Sequence, residues 1–210
     1  MAKTISDQVR HLRAQRGLSA RELSERCSEL GMSIHRNVIA NLESGRRPSV
    51  TVAEVLVLAE ALKVPPIRLV YPVGLAATVE ALPQCTADTW RAVRWFTGEV
   101  PLRESDRVDF EWESGAEPVE KFRFHERMVD AWRTDRQRVE NLVRTYGPPA
   151  GGESADSGWQ ARDLEYLRLA EQAVNADEAA LRDVREQMRS VGLTPPALPD
   201  ALIHLDDPAR

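Results

Sequence analysis

The sequence predicts an all-α chain: a five-helix head followed by a helical C-terminal part built on two long antiparallel heptad helices. Three observations predict it. Apolar residues recur at steps of three and four through most of the 210 residues. Two Ser/Thr-x-x-Glu capping boxes mark helix starts in the first third. Strand-like alternation is weak and confined to Val108, Phe110 and Trp112 among charged residues. The expected divisions are a head over 1–74, a linker with a short helix over 75–117, a long helical hairpin over 118–191 and an extended tail over 192–210.

The first helix is expected from Ile5 to Arg16, with Ile5, Val9 and Leu12 inward and Gly17 as its stop. Ser19-Ala-Arg-Glu22 caps a second helix from Ala20 to about Leu30, with Leu23, Cys27 and Leu30 inward. Gly31-Met-Ser33 breaks it. A third helix runs from about Arg36 to Glu43 on Val38, Ile39 and Leu42, and Gly45 ends it. Thr51-Val-Ala-Glu54 opens a fourth helix to Leu62, apolar on most sides and so expected at the centre of the head. Pro65-Pro66 start a short fifth helix to about Val70. Pro72 and Gly74 mark the boundary. Thr78 to Cys85 reads as extended chain, and Thr86 or Asp88 caps a short helix from about Thr89 to Thr97.

The first long helix covers about 118–146. Its seam is Phe122, His125, Val129, Trp132, Arg136, Val139, Val143 and Tyr146. Gly147-Pro-Pro-Ala-Gly-Gly-Glu-Ser is a linker by composition. The second covers about 157–191, with Leu167, Ala170, Val174, Asp177, Leu181, Val184, Met188 and Val191 at the same steps. Polar residues interrupt both seams, and pairing within one chain or between two remains open at this point. The tail can pack on the body through Leu198, Leu202 and Ile203.

Composition excludes several classes. The longest apolar run, Val55 to Ala59, is five residues, against the ~18 that suggest a membrane span. The first residues, MAKTISDQVR, carry no apolar signal core, so a cytoplasmic protein is expected. Cys27 and Cys85 are distant, and the four histidines show no ligand spacing, so no disulfide, metal or cofactor is expected. No nucleophile elbow, phosphate loop or paired catalytic carboxylates occur, and no enzyme activity is expected. The net charge of −5 hides an asymmetry. Residues 1–74 hold 11 basic and 7 acidic side chains, a net of +4, and residues 75–210 hold 17 and 26, a net of −9. A basic head on an acidic body suggests two parts with different partners.

The second and third helices have the arrangement of a unit that lays one helix across the DNA backbone and the N-terminal residues of the next against base edges. With Val38, Ile39 and Leu42 inward, Arg36, Asn37, Ala40 and Asn41 face outward, and His35 stands at the start. Arg can grip guanine and Asn adenine in two places, and a small Ala40 allows close approach. Ser44, Arg46 and Arg47 follow in a turn suited to phosphates, with Ser19 and Arg21 as further phosphate candidates.

Residues 5–70 resemble a lambda-repressor-like, Cro/C1-type (XRE) helix-turn-helix domain. The matching pieces are Gly17-Leu-Ser19, Glu22-Leu23, Val38-Ile39-Ala-Asn-Leu-Glu43-Ser-Gly45-Arg46, Pro48-Ser49 and Ala59-Glu-Ala-Leu62. The stretch from Ser28 to Ile34 makes the second connection about five residues longer than the family's tight turn, and Ala20 stands where the family often has Gln. The resemblance implies double-stranded DNA as partner, a two-fold dimer, and a structural ion pair between Arg13 and Glu43. A transcriptional repressor dimerising through the C-terminal helices is the preferred expectation. The alternative is an interaction protein of the antitoxin-like or factor-binding kind, whose acidic body binds a protein partner. The five tryptophans, all between Trp90 and Trp159, read as core packing rather than a ligand pocket, with Trp112 the most exposed. Cys27 reads as core filler.

Overall fold

The computed structural model describes residues 1–103, 110–147 and 159–206. The chain divides into two compact units, Met1–Val108 and Asp109–Arg210.

The first unit is built from α1 (Ala2–Gln15), α2 (Ala20–Glu29), α3 (Arg36–Glu43), α4 (Val52–Ala61), α5 (Ile67–Val70), the hairpin β1 (Thr78–Leu82) and β2 (Cys85–Asp88), and α6 (Thr89–Phe96). Both capping boxes are complete, with Ser19 and Thr51 accepting from the amides of Glu22 and Glu54 and each Glu reaching back. Asp88 caps α6 by accepting from the Arg91 amide at 2.8 Å. The core is one cluster. Val9, Leu12, Leu23, Ile39, Leu58, Leu62 and Leu69 are fully buried in it, and it continues through Tyr71, Val79, Ala81, Ala92 and Val93. The expected head stops at Gly74, yet the segment after it packs on the same core. The expected extended segment 78–85 is a two-stranded antiparallel ribbon, with Thr78 opposite Asp88 and Leu82 opposite Cys85. Pro83 and Gln84 make its turn, with Gln84 in the left-handed region at φ +62°.

The fourth helix departs from expectation. Val55, Leu58 and Ala59 are buried, but Val52 is 76% and Leu56 51% exposed within the unit. Those two lie one turn apart on the face away from the core.

In the second unit α7 (Phe110–Tyr146) and α8 (Ala161–Ser190) pack against each other within one chain. They run antiparallel: Lys121 meets Gln187, His125 meets Arg185 and Trp132 meets Glu178. The seam buries His125, Val129 and Trp132 from α7 and Leu167, Ala170, Leu181, Val184, Arg185 and Met188 from α8. Phe122, Arg136 and Val191, expected in the seams, are exposed, and Arg136 instead lies over the Trp132 ring at 5.3 Å. The sequence reading starts this helix at Pro118, but it begins eight residues earlier, with Glu111 and Glu113 in its first turn, where carboxylates suit the helix dipole. Phe110 and Trp112 of the expected strand are therefore helical, and Trp112 is half-buried; Trp90, at 59%, is an exposed tryptophan instead. Val108 and the linker residues 148–154 lie outside the described residues.

The tail is not extended throughout. Asp200–Asp206 forms a 3-10 helix that buries Leu202 and Leu205 against Val129, Trp132 and Leu181, while Ile203 is exposed. One guanidinium fastens it. Arg185, 3% exposed, donates to Asp206 at 2.9 and 2.6 Å, to the Pro196 carbonyl at 2.7 Å and to His125 Nε2 at 2.7 Å. Among the described residues no helix is long and apolar enough to cross a membrane.

Candidate nucleic-acid interface

The exposed face of α3 is set by which of its residues the core takes. Ile39 and Leu42 are buried and Val38 is half-buried. The helix period then turns Arg36, Asn37, Ala40 and Asn41 outward, and all four are exposed. Arg36 makes no ion pair among the described residues. His35, expected as a base contact, is the N-cap: its Nδ1 accepts from the Asn37 amide at 3.3 Å. The ring is exposed, but this bond holds it at the helix start.

The C-terminal end of α3 is closed tightly. Gly45, at φ +72°, donates to the Leu42 carbonyl at 2.9 Å, and Arg46 N donates to the Asn41 carbonyl at 3.0 Å. The positive φ favours glycine at this stop. Ser44 Oγ donates to the same Asn41 carbonyl at 3.1 Å, so its hydroxyl is part of the turn and remains exposed. The turn thus hangs on the backbone of a residue whose side chain faces outward.

Two charge pairs fix this face from behind. Arg13 of α1 meets Glu43 through Nε to Oε1 at 2.6 Å and Nη2 to Oε2 at 2.7 Å, with side chains 19% and 10% exposed. Arg13 also donates to the Leu18 carbonyl. The Glu43 hydrogen bond raises the Arg13 pKa, so the guanidinium stays charged. This is a two-pronged, charge-assisted contact tying α1 to the end of α3. The second pair is Arg47 with Glu54, at 2.7 and 3.2 Å. Arg47, helped by the Thr51 amide and hydroxyl, holds the Glu54 carboxyl below the usual carboxylate range against the effect of burial. Arg47, a phosphate candidate by sequence, pairs with Glu54 and braces the start of α4. The partner was hard to foresee, because Glu54 already had a use in its capping box and lies seven residues away across a loop.

The remaining phosphate candidates differ in how free they are. Arg46 is exposed and makes no ion pair among the described residues. Arg21 is exposed but pairs with Glu25 at 2.8 Å one turn on. Such surface pairs contribute little to stability and exchange readily. Ser19 Oγ is occupied by the Glu22 amide at 3.1 Å, which leaves other first-turn amides of α2 at an exposed N-terminus. Six residues separate α2 from α3, and Ser28 Oγ lies 3.3 Å from Ser33 Oγ across that connection. Cys27 is fully buried, its thiol pushed up to about 11 by desolvation, which suits a core filler and not a reactive group.

The geometry is that of a short helix presenting Arg, Asn, Ala and Asn, flanked by the exposed Arg46 and the N-terminus of the preceding helix. Residues 5–69 match the family model described as a helix-turn-helix domain. Neither a curated protein nor a solved structure matches the chain.

Proposed function

With residues 5–69 a helix-turn-helix domain, the DNA-binding kind of module, we propose that this protein is a sequence-specific transcriptional regulator, a repressor, acting on cytoplasmic DNA with α3 in the major groove. The observation that carries the reading is the outward set Arg36, Asn37, Ala40 and Asn41 on a helix whose opposite face is buried. In this reading Arg36 and Asn41 make the two-point base contacts, Asn37 joins them, and Ala40 lets the helix approach. His35 positions the helix start. Arg46, Ser44 and the α2 N-terminus around Ser19 and Arg21 hold the phosphates. No catalytic step is part of it.

The regulator binds as a homodimer through the second unit. Support comes from a shallow depression on the α7–α8 pair, where half-buried Ala180 lies beside Phe124 and Val184, a surface that another helix can approach closely. A second reading, a protein partner on the acidic body, is favoured by Tyr166 and Leu169, both about half exposed on α8.

Selection of bound genomic fragments, followed by titration of the recovered duplex, tests the DNA reading. Arg36→Ala with Asn41→Ala should erase discrimination, each lost two-point contact costing ~1–3 kcal/mol. Retained discrimination refutes the assignment of α3. Light scattering of the full chain tests the dimer, and a monomer at micromolar concentration refutes it.

A further inference from the structure

A cleft between the start of α1 and the end of α3 holds charge that the reading above leaves unused. Its volume is about 490 Å³, with Lys3, Asp7 and Arg10 on one wall and Ser44 and Gly45 on the other. That leaves room for phosphodiester groups with waters of ~30 Å³ each. Lys3, Asp7 and Arg10 share one face of α1 at i, i+4 and i+7. Glu43 and Arg47 also border the cleft, but Arg13 and Glu54 already balance them. Two cations and one carboxylate are left. All three are exposed, and neither Lys3 nor Arg10 makes an ion pair or side-chain hydrogen bond among the described residues.

We propose that this cleft takes DNA backbone phosphates, with Lys3 and Arg10 as ligands and Asp7 as a repulsive group that limits the affinity. The inference rests on the placement of α3 in the major groove. The choice of DNA over a free anion follows from continuity: the cleft is walled by Ser44 and Gly45, next in sequence to exposed Arg46, so a strand held at Arg46 lies beside its mouth. Lys3 and Arg10 are seven residues apart, ~10 Å along the helix. That is too far to share one phosphate, so they take two. Cations on α1 would then fix how far the domain rolls about the α3 axis, without reading any base.

The test is a salt titration of the full chain carrying Lys3→Ala and Arg10→Ala, on the selected duplex and on a random one. Two lost phosphate contacts should flatten the slope of log affinity against log salt by roughly 2 per bound subunit. Affinity should fall alike on both duplexes, leaving their ratio unchanged. Asp7→Asn should tighten binding to both, an effect that a merely structural surface residue would not produce. An unchanged slope in the double variant, or weaker binding by Asp7→Asn, overturns the assignment. If Arg36→Ala with Asn41→Ala still erases discrimination in the same titration, only the α1 assignment falls. If that variant also changes nothing, the groove reading falls with it.

Discussion

Cutting the bridge between Arg13 and Glu43 should loosen α3 from behind without touching its exposed face. Arg13→Ala leaves Glu43, 10% exposed, with a carboxylate that lacks its counter-charge, and leaves the Leu18 carbonyl without its donor. Removing one partner of a fully buried pair costs ~3–5 kcal/mol. The residual exposure here lets some water reach the carboxylate, so the expected loss is ~2–4 kcal/mol. Glu43→Ala leaves Arg13 more accessible, at 19%, and still bonded to Leu18. Its cost should be smaller, ~1–3 kcal/mol by the same argument. Because each single variant already loses the shared contact, the double variant should cost less than their sum, with a coupling of ~1.5–3 kcal/mol, toward the upper end of the range for contacting residues. Arg13→Lys should recover only part of the loss, since an ammonium cannot match the two-pronged geometry. The assay is hydrogen exchange of α1 and α3 peptides in the full chain, which isolates this region from the second unit. Additive single variants, with a coupling below ~0.5 kcal/mol, would refute the claim that the pair acts as one brace.

Three further outcomes are expected. Arg46→Ala should flatten the salt dependence of DNA binding by roughly 1 per subunit, whereas Arg47→Ala should act mainly on stability by releasing Glu54; equal salt slopes for the two variants would contradict the division of roles. Burial first, and then the Arg185 charge, hold the His125 pKa below its ordinary value. The unfolded chain therefore takes up a proton there first, so the second unit should lose stability as pH falls below ~6.5. His125→Gln should blunt that loss in pH-dependent hydrogen exchange of residues 196–206, and an unaltered pH profile would show that His125 is not its source. Finally, a thiol reagent should label half-buried Cys85 well before Cys27 in the native chain; comparable rates would mean that the first core opens easily.

Much of the first unit was legible because its signals are local. Ser19 with Glu22, Thr51 with Glu54 and the stop at Gly45 each act within a few residues, and they fixed α2, α3 and α4 to within a residue or two. The exposed set on α3 followed from the same period. Other features depended on neighbours that periodicity does not name. An apolar α4 was placed at the centre, but a helix can be apolar on a face that its own unit leaves open, as Val52 and Leu56 do. The ribbon of β1 and β2 is only five and four residues long, too short for alternation to announce it. In α7 the apolar period is legible only from about 118, although the helix begins at Phe110 and runs through Pro118. Nothing local in the sequence shows that Arg47 reaches Glu54 across the loop. Likewise the clasp of Arg185 on Pro196 and Asp206 joins positions 11 and 21 residues apart.

The brevity of α3 sets a limit on what one copy of it can specify. Eight residues at 1.5 Å each make a rod of ~12 Å, the length of three or four base pairs at ~3.4 Å apiece. A fully determined base pair carries two bits, so one such helix delivers at most about 8 bits through direct contact. Singling out one address among the ~10⁶ or more that a genome offers takes about 20. Even doubling the reader leaves a shortfall of several bits. In the proposed reading the remainder comes from the bending and groove width of the DNA itself, so base pairs that this helix never touches should carry part of the address.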